Sequence, residues 1–221
     1  MTATEQKTRE EILKMLENDE TIFIVGCGDC ATICQTGGEV EVAEMKQFLE
    51  ESGKKVSGTL IPESACQVLD VARLLRQQKE EVAAADSILV LSCGAGVQSV
   101  VENLKDKPVH PGCNSLFIAN TKRLGQLHEW CSTCGECVID EYGGVCPITR
   151  CPKGQVNGPC GGTDQGKCEV DPEQDCVWTL IYQRLEHVPG KEKVETTLYG
   201  AKNFDAGRHP RKRVFEPRRG G

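Results

Sequence analysis

The sequence predicts an α/β protein with two parts. A parallel, flavodoxin-like or Rossmann-like sheet domain is expected over residues 1–125, followed by a small cysteine-rich, metal-binding module over residues 126–186. The first observation behind this is an alternation of short apolar runs with segments of helical periodicity, which is typical of parallel α/β sheets. The apolar runs lie at residues 21–25, 55–61 and 87–91. The second observation is that eight of the 14 cysteines lie within residues 131–176, among many Gly and Pro residues. A segment of that composition requires cross-links to hold its fold.

Segments with apolar stripes at helical spacing are expected to join the strands. The first helix is predicted over residues 4–18, because Ile12, Leu13 and Leu16 supply one apolar face. Further helices are predicted over residues 39–52, 66–84 and 96–104. The apolar run at residues 116–118 is expected to be the last strand of the sheet, with Cys113 in the turn before it.

The chemistry of the cysteines depends on the compartment. The amino terminus is charged and lacks the apolar core of a signal peptide, and no segment has the length of a membrane span. A cytoplasmic protein without a membrane partner is therefore expected. Disulfides are disfavoured in the cytosol, so thiolate ligands to iron-sulfur clusters or zinc are the leading interpretation of the 14 cysteines.

The first candidate metal centre is expected at the carboxyl edge of the sheet. All strands of a parallel sheet end on one edge, so cysteines that follow different strands are brought together there. The candidate ligands are Cys27, Cys30, Cys34, Cys66 and Cys93. Four of these five would bind one [4Fe-4S] cluster, which is favoured over zinc at this edge, and Cys113 is the expected spare.

The second group of candidate ligands lies in the cysteine-rich module. Its opening spacing, Cys131-x2-Cys134-x2-Cys137, is found in ferredoxins, but the fourth cysteine of the ferredoxin pattern is absent three residues later. Either Cys146 or Cys176 can complete this centre, and the sequence leaves both open. The remaining candidates for a further centre are Cys151, Cys160 and Cys168 together with the one of Cys146 and Cys176 that is left over. One cluster plus one zinc, or two clusters, would satisfy eight thiolates.

Several functions are disfavoured by what the sequence lacks. No G-x-G-x-x-G fingerprint, P-loop or His-rich metal motif is present, and no Ser/His/Asp arrangement stands out. A non-catalytic subunit is therefore expected. The net charge of −7 argues against nucleic acid as a partner.

The carboxyl-terminal tail, residues 187–221, differs in charge from the rest. Its last twenty-one residues carry seven Lys or Arg and two Asp or Glu side chains. Two interpretations stay open: an arm that docks on another protein, or a solvated tail.

A set of motifs along the chain resembles a known family. They are GCGDCATIC at residues 26–34, SCGAGVQ at 92–98, CPITRC at 146–151, NGPCGG at 157–162 and GKCEV at 166–170. In this order they resemble the small iron-sulfur subunit, MetV type, of the methylenetetrahydrofolate reductase of acetogenic bacteria. The resemblance spans residues 20–186.

The resemblance implies a role and partners. The chain would be an electron-transfer subunit that passes electrons to the FMN or FAD of a TIM-barrel catalytic subunit, which reduces methylene-tetrahydrofolate to methyl-tetrahydrofolate in the methyl branch of the acetyl-CoA pathway. A further protein or subunit would be the electron donor. The alternative is a zinc-stapled structural scaffold for the same flavoprotein, without electron relay.

Overall fold

The computed structural model describes residues 1–187 of the 221. The chain divides into two compact units, Met1–His128 and a second that begins at Glu129. The predicted basic tail lies, apart from His187, outside the described residues.

Strands and helices alternate through the first unit. The strands are β1 (Thr2–Gln6), β2 (Thr21–Val25), β3 (Lys55–Leu60), β4 (Ser87–Val90), β5 (Val109–Pro111), β6 (Cys113–Arg123) and β7 (Gln126–Cys131). The helices of this unit are α1 (Arg9–Met15), α2 (Cys30–Ile33), α3 (Glu39–Glu51), α4 (Val68–Gln77), α5 (Lys79–Ala84) and α6 (Gly94–Asn103). The second unit contains α7 (Pro147–Arg150) and α8 (Val177–His187).

The predicted parallel sheet is confirmed, with four strands in the order β3-β2-β4-β5. The central strands of the sheet are buried on both faces, and successive side chains of β2 pack on opposite faces. Phe23 and Val25 pack with apolar side chains of α4, α5 and α6. Ile22 and Ile24 pack with α1 and α3 on the other face. Burial on both faces explains why these strands read as continuous apolar runs in the sequence.

The prediction of one helix over residues 4–18 is wrong for its first part. β1 is a strand that pairs antiparallel with β6 in a second, three-stranded sheet of order β1-β6-β7. The helix begins only after Thr8, whose hydroxyl accepts a hydrogen bond from the Glu11 N–H while the Glu11 carboxylate accepts one from the Thr8 N–H. This capping box fixes the start of α1 at Arg9.

Two other boundaries differ from the sequence prediction. The helix expected over residues 66–84 is broken at Gln78 into α4 and α5, and Cys66 lies in the loop before α4. The run at residues 116–118 belongs to β6 in the antiparallel sheet, so β5 is the last parallel strand. Cys113 accordingly opens a strand and does not lie in a turn.

The second unit has a small core around α8. Trp178 and Ile181 are buried against Tyr142, whose ring meets the Trp178 ring edge-on at a centroid distance of 5.8 Å. The Trp178 indole N–H donates to the Gln155 carbonyl at 3.0 Å, which ties the preceding loop to this helix. Over residues 1–187, no helix combines the length and apolarity needed to cross a bilayer.

Replacing Gly37 with Ala should destabilise the first unit. A Cβ at this position would overlap the backbone carbonyl of Leu91, and backbone cannot move away as a flexible side chain can. We expect a loss of about 1–3 kcal/mol in the free energy of unfolding, as for other overpacked sites. Gly94→Ala is the matched control, because the nearest atom to its Cβ is the Ser115 Oγ at 3.7 Å. Equal unfolding transitions for the two variants would contradict the packing described here.

Candidate metal centres

Four cysteines of the first unit lie at the carboxyl ends of β2 and β4. Cys27 follows β2, Cys30 opens α2, Cys34 ends that helix, and Cys93 caps the amino end of α6. The loop after β2 is held by backbone hydrogen bonds to its neighbours, with the Cys27 N–H donating to the Gly37 carbonyl at 2.8 Å. These positions arise because parallel strands end on the same edge, as the sequence predicts.

Charge interactions place three of these sulfurs near one another. Burial raises the pKa of the Cys30 thiol, and a backbone hydrogen bond with Thr2 opposes that rise. Charge repulsion raises the same pKa further, from Asp29, Cys27 and Cys93. Coulombic interactions of this kind act between nearby groups, so the thiols of Cys27, Cys30 and Cys93 are neighbours at this edge.

Strand β1 covers part of this edge, which the sequence did not indicate. The Cys34 thiol donates to the Thr2 carbonyl at 3.8 Å, so Thr2 contacts both cysteines of α2. The buried hydroxyls of Thr4 and Thr36 meet at 2.6 Å and join β1 to the loop after α2. No motif contains these threonines, so only the three-dimensional pairing of β1 reveals them.

Cys113 lies at the same edge as a neutral thiol. It is buried, and its Sγ donates to the Thr36 carbonyl at 3.5 Å. Burial raises its pKa to about 12; a hydrogen bond with the side chain of Thr36 opposes that rise, and the charges of Cys34 and Cys93 add to it. Cys113 also packs in the apolar cluster of α1 and α3, which is the usual environment of an inert, structural cysteine.

Cys66 is the most peripheral of the five predicted ligands. It is exposed in the β3–α4 loop, whereas the preceding Ala65 is buried and packs with Cys27 and Ala31. The loop therefore lies against the cysteine edge although the Cys66 side chain points into solvent. Within residues 1–187, no three His, Cys, Asp or Glu side chains are arranged as ligands of a metal ion. The thiols gather at this edge without the geometry of a closed coordination shell.

In the second unit, Thr149 connects the first cysteine loop with Cys146. Its Oγ1 accepts from the Ser132 N–H at 3.0 Å and donates to the Ser132 Oγ at 3.1 Å. The Cys146 Sγ lies 3.8 Å from the same oxygen. The guanidinium of Arg150 also stacks on Trp130, 5.3 Å from its ring centroid. These contacts group Cys146 with the loop of Cys131, Cys134 and Cys137.

A second group forms around Thr163 and Glu169. The Cys160 Sγ lies 3.5 Å from a carboxylate oxygen of Glu169, the residue after Cys168. Thr163, three residues after Cys160, forms a side-chain hydrogen bond with Cys176. Cys151 and Cys176 both pack against the apolar core of α8. These contacts bring Cys176 close to the loop of Cys160, while Cys168 and Cys151 are associated with them through Glu169 and the apolar core.

Several sulfurs of the second unit accept hydrogen bonds from backbone N–H groups. Thr133 N–H donates to Cys131 Sγ at 3.4 Å, Gln155 N–H to Cys151 Sγ at 3.4 Å, and Gly162 N–H to Cys160 Sγ at 3.5 Å. Such donors stabilise a negative sulfur and tune metal-bound thiolates. The donor set of this unit therefore fits metal-thiolate coordination.

The surroundings of Cys176, at the amino end of α8, favour its thiolate form. Burial raises its pKa, but hydrogen bonds from the backbone and hydroxyl of Thr179, the backbone of Trp178 and the hydroxyl of Thr163 outweigh burial and lower it. The Leu180 N–H donates to the Cys176 carbonyl at 3.1 Å, so Cys176 occupies the cap position of this helix. Free N–H groups at a helix start favour negative charge there.

Fold and site together define a cysteine-rich α/β protein with a thiol-rich carboxyl-terminal module. Residues 110–205 match the family described as "Methylene-tetrahydrofolate reductase C terminal", a match that covers less than half of the chain. It supports a protein related to methylenetetrahydrofolate reductase. Neither a curated protein nor a solved structure matches the chain.

Alkylation of the metal-free protein should separate Cys113 from Cys66. At about pH 8 very little of Cys113 is thiolate, since its pKa is about 12 and only the thiolate reacts. Because the pKa is raised, its reaction should accelerate with pH throughout the alkaline range, while exposed Cys66 reacts readily near neutral pH. Mass spectrometry of digests at several times measures both rates. Equal rates in the folded protein would show that Cys113 is not the buried, neutral thiol described above.

Proposed function

We propose that this chain is the iron-sulfur, electron-transfer subunit of a methylenetetrahydrofolate reductase complex. The observation that carries the proposal is the gathering of Cys27, Cys30, Cys34 and Cys93 at one sheet edge, in a chain whose carboxyl-terminal part matches a reductase-associated family. The catalytic partner would carry the flavin and the folate site. Its association with this chain is supported by the family match.

At the sheet edge, Cys30, Cys34 and Cys93 with Cys27 or Cys66 would hold a [4Fe-4S] cluster, which when bound supplies one-electron redox chemistry. The chain's own residues would prepare the site. Buried Ala31 and Ala65 and strand β1 exclude water from one side of the thiols. Cysteine binds metal as the thiolate, and the raised pKa of Cys30 makes the required loss of its proton less favourable.

In the second unit, two ligand sets are supported by the contacts above. Cys131, Cys134 and Cys137 would share a centre with Cys146 rather than Cys176, because Thr149 joins Cys146 to their loop. The other set would be Cys151, Cys160, Cys168 and Cys176. Backbone N–H groups would donate hydrogen bonds to ligand sulfurs of both sets.

The rival proposal is a structural role, in which zinc cross-links the second unit. It is favoured by the size of the core there, where Tyr142, Val177, Trp178, Ile181 and Leu185 are the buried side chains of the cluster. A core this small contributes little stability alone, and structural zinc often supplies the rest. Metal in this unit would then stabilise a scaffold for the flavoprotein and carry no electrons.

The relay is tested by comparing Cys93→Ser with Cys113→Ser in the reconstituted complex. Cys93→Ser should lose about four irons per chain, because a missing thiolate destabilises a cubane, and should slow reduction of the partner flavin by a low-potential donor. Cys113→Ser should keep its iron and its rate, as expected for a packing residue. Size-exclusion chromatography verifies that both complexes assemble. Full turnover by an assembled complex without iron would reject relay in favour of the scaffold.

A further inference from the structure

An ion pair in the second unit contacts the sulfur of Cys160 directly. The Lys153 ammonium pairs with a carboxylate oxygen of Glu169, and the Cys160 Sγ lies 3.5 Å from that same oxygen. Glu169 also follows Cys168 directly in sequence. The pKa of Lys153 is raised by its hydrogen bond with Glu169, and the charges of Cys160 and Cys168 contribute to that rise.

The backbone around Cys160 is shaped to admit this carboxylate. A Cβ at Gly162 would overlap the carboxyl group of Glu169, so a larger residue here would displace that side chain from its position beside the loop. The Gly162 N–H is also the donor to the Cys160 Sγ, at 3.5 Å. The loop thus brings a hydrogen-bond donor and a carboxylate to the same sulfur.

The charges at this position require compensation when the thiols ionise. As a thiol, Cys160 can donate its proton to Glu169; as a metal ligand it has no proton, and two negative groups then face each other. The Lys153 ammonium lies against the carboxylate and near both sulfurs, where it offsets that repulsion. Four thiolates around a divalent ion or a cluster leave a net negative centre, which a neighbouring cation stabilises.

We propose that Lys153 and Glu169 form a positioning pair for the metal-thiolate centre of Cys151, Cys160, Cys168 and Cys176. Lys153 supplies the positive charge, while Glu169 holds it over the Cys160–Gly162 loop. The inference rests on the metal ligation proposed for this unit and does not require electron relay. Both side chains are partly exposed, so as an ordinary surface ion pair they would contribute little.

A second lysine–carboxylate pair in the same unit serves as a matched control for an ordinary surface ion pair. Lys167 pairs with Asp175 at 2.7 Å and also donates to the Glu173 carbonyl, with an exposure of 47% against 39% for Lys153. The two pairs differ in their carboxylates, since the partner of Lys153 is Glu169, the carboxylate that Cys160 contacts. Replacing either lysine with Met removes one positive charge and one ion pair, but only Lys153→Met removes a charge beside Cys160.

The test is the rate at which a chromogenic chelator withdraws metal from the full-length, anaerobically purified chain. Lys153→Met should speed release of one centre on the order of tenfold, as expected for a lost outer-shell partner. Lys167→Met should release metal as wild type does, and Lys153→Arg should restore slow release because it keeps the charge. If the centre is redox-active, Lys153→Met should also lower its midpoint potential.

Two results would overturn the inference. Equal release rates for Lys153→Met, Lys167→Met and wild type would show that Lys153 and Glu169 are only a surface ion pair. Absence of metal from this unit in the wild-type chain would show that the proposed centre does not exist. Failure of electron relay with intact metal would reject the proposed function alone and leave the positioning role standing.

Discussion

The parallel register of β2, β3, β4 and β5 is the constraint on which the first unit depends. Because all four strands run in one direction, the loops after β2 and β4 open on the same edge. Cysteines sixty residues apart in sequence, such as Cys30 and Cys93, become electrostatic neighbours there. The apolar side chains on both faces of the sheet fix that register, since a slip would bring polar groups into the core.

The sulfurs of the two units differ in their surroundings. At the sheet edge, burial keeps Cys30 and Cys113 protonated, so metal binding there would have to expel protons. In the second unit, backbone N–H groups donate to the sulfurs of Cys131, Cys151 and Cys160. Hydrogen bonds with Thr179, Trp178 and Thr163 outweigh burial and lower the pKa of Cys176. The sulfurs at the sheet edge are partly shielded from solvent, whereas sulfurs of the second unit accept hydrogen bonds that favour the thiolate. This difference suits one enclosed centre and a more exposed module held together by its ligands.

Sequence patterning could predict the parallel sheet because its central strands are continuous apolar runs that need no partner to be recognised. It failed at β1, because the strand's partner, β6, lies more than a hundred residues away and residues 2–6 carry no strong apolar pattern. The cysteine groups were predictable in outline for the same topological reason. The association of Cys146 with the loop of Cys131 was not, because it depends on the hydroxyl of Thr149, which contacts both Ser132 and Cys146. Short-range spacing cannot report such a contact.

The central claim is that the gathered thiols hold iron-sulfur clusters and not only structural zinc. Its most direct test is the amount of iron, zinc and acid-labile sulfide per chain in anaerobically purified protein. We expect iron and sulfide in equal amounts, with at least about four of each per chain for the sheet-edge centre. Zinc without iron or sulfide would contradict it and leave the scaffold as the function of this chain.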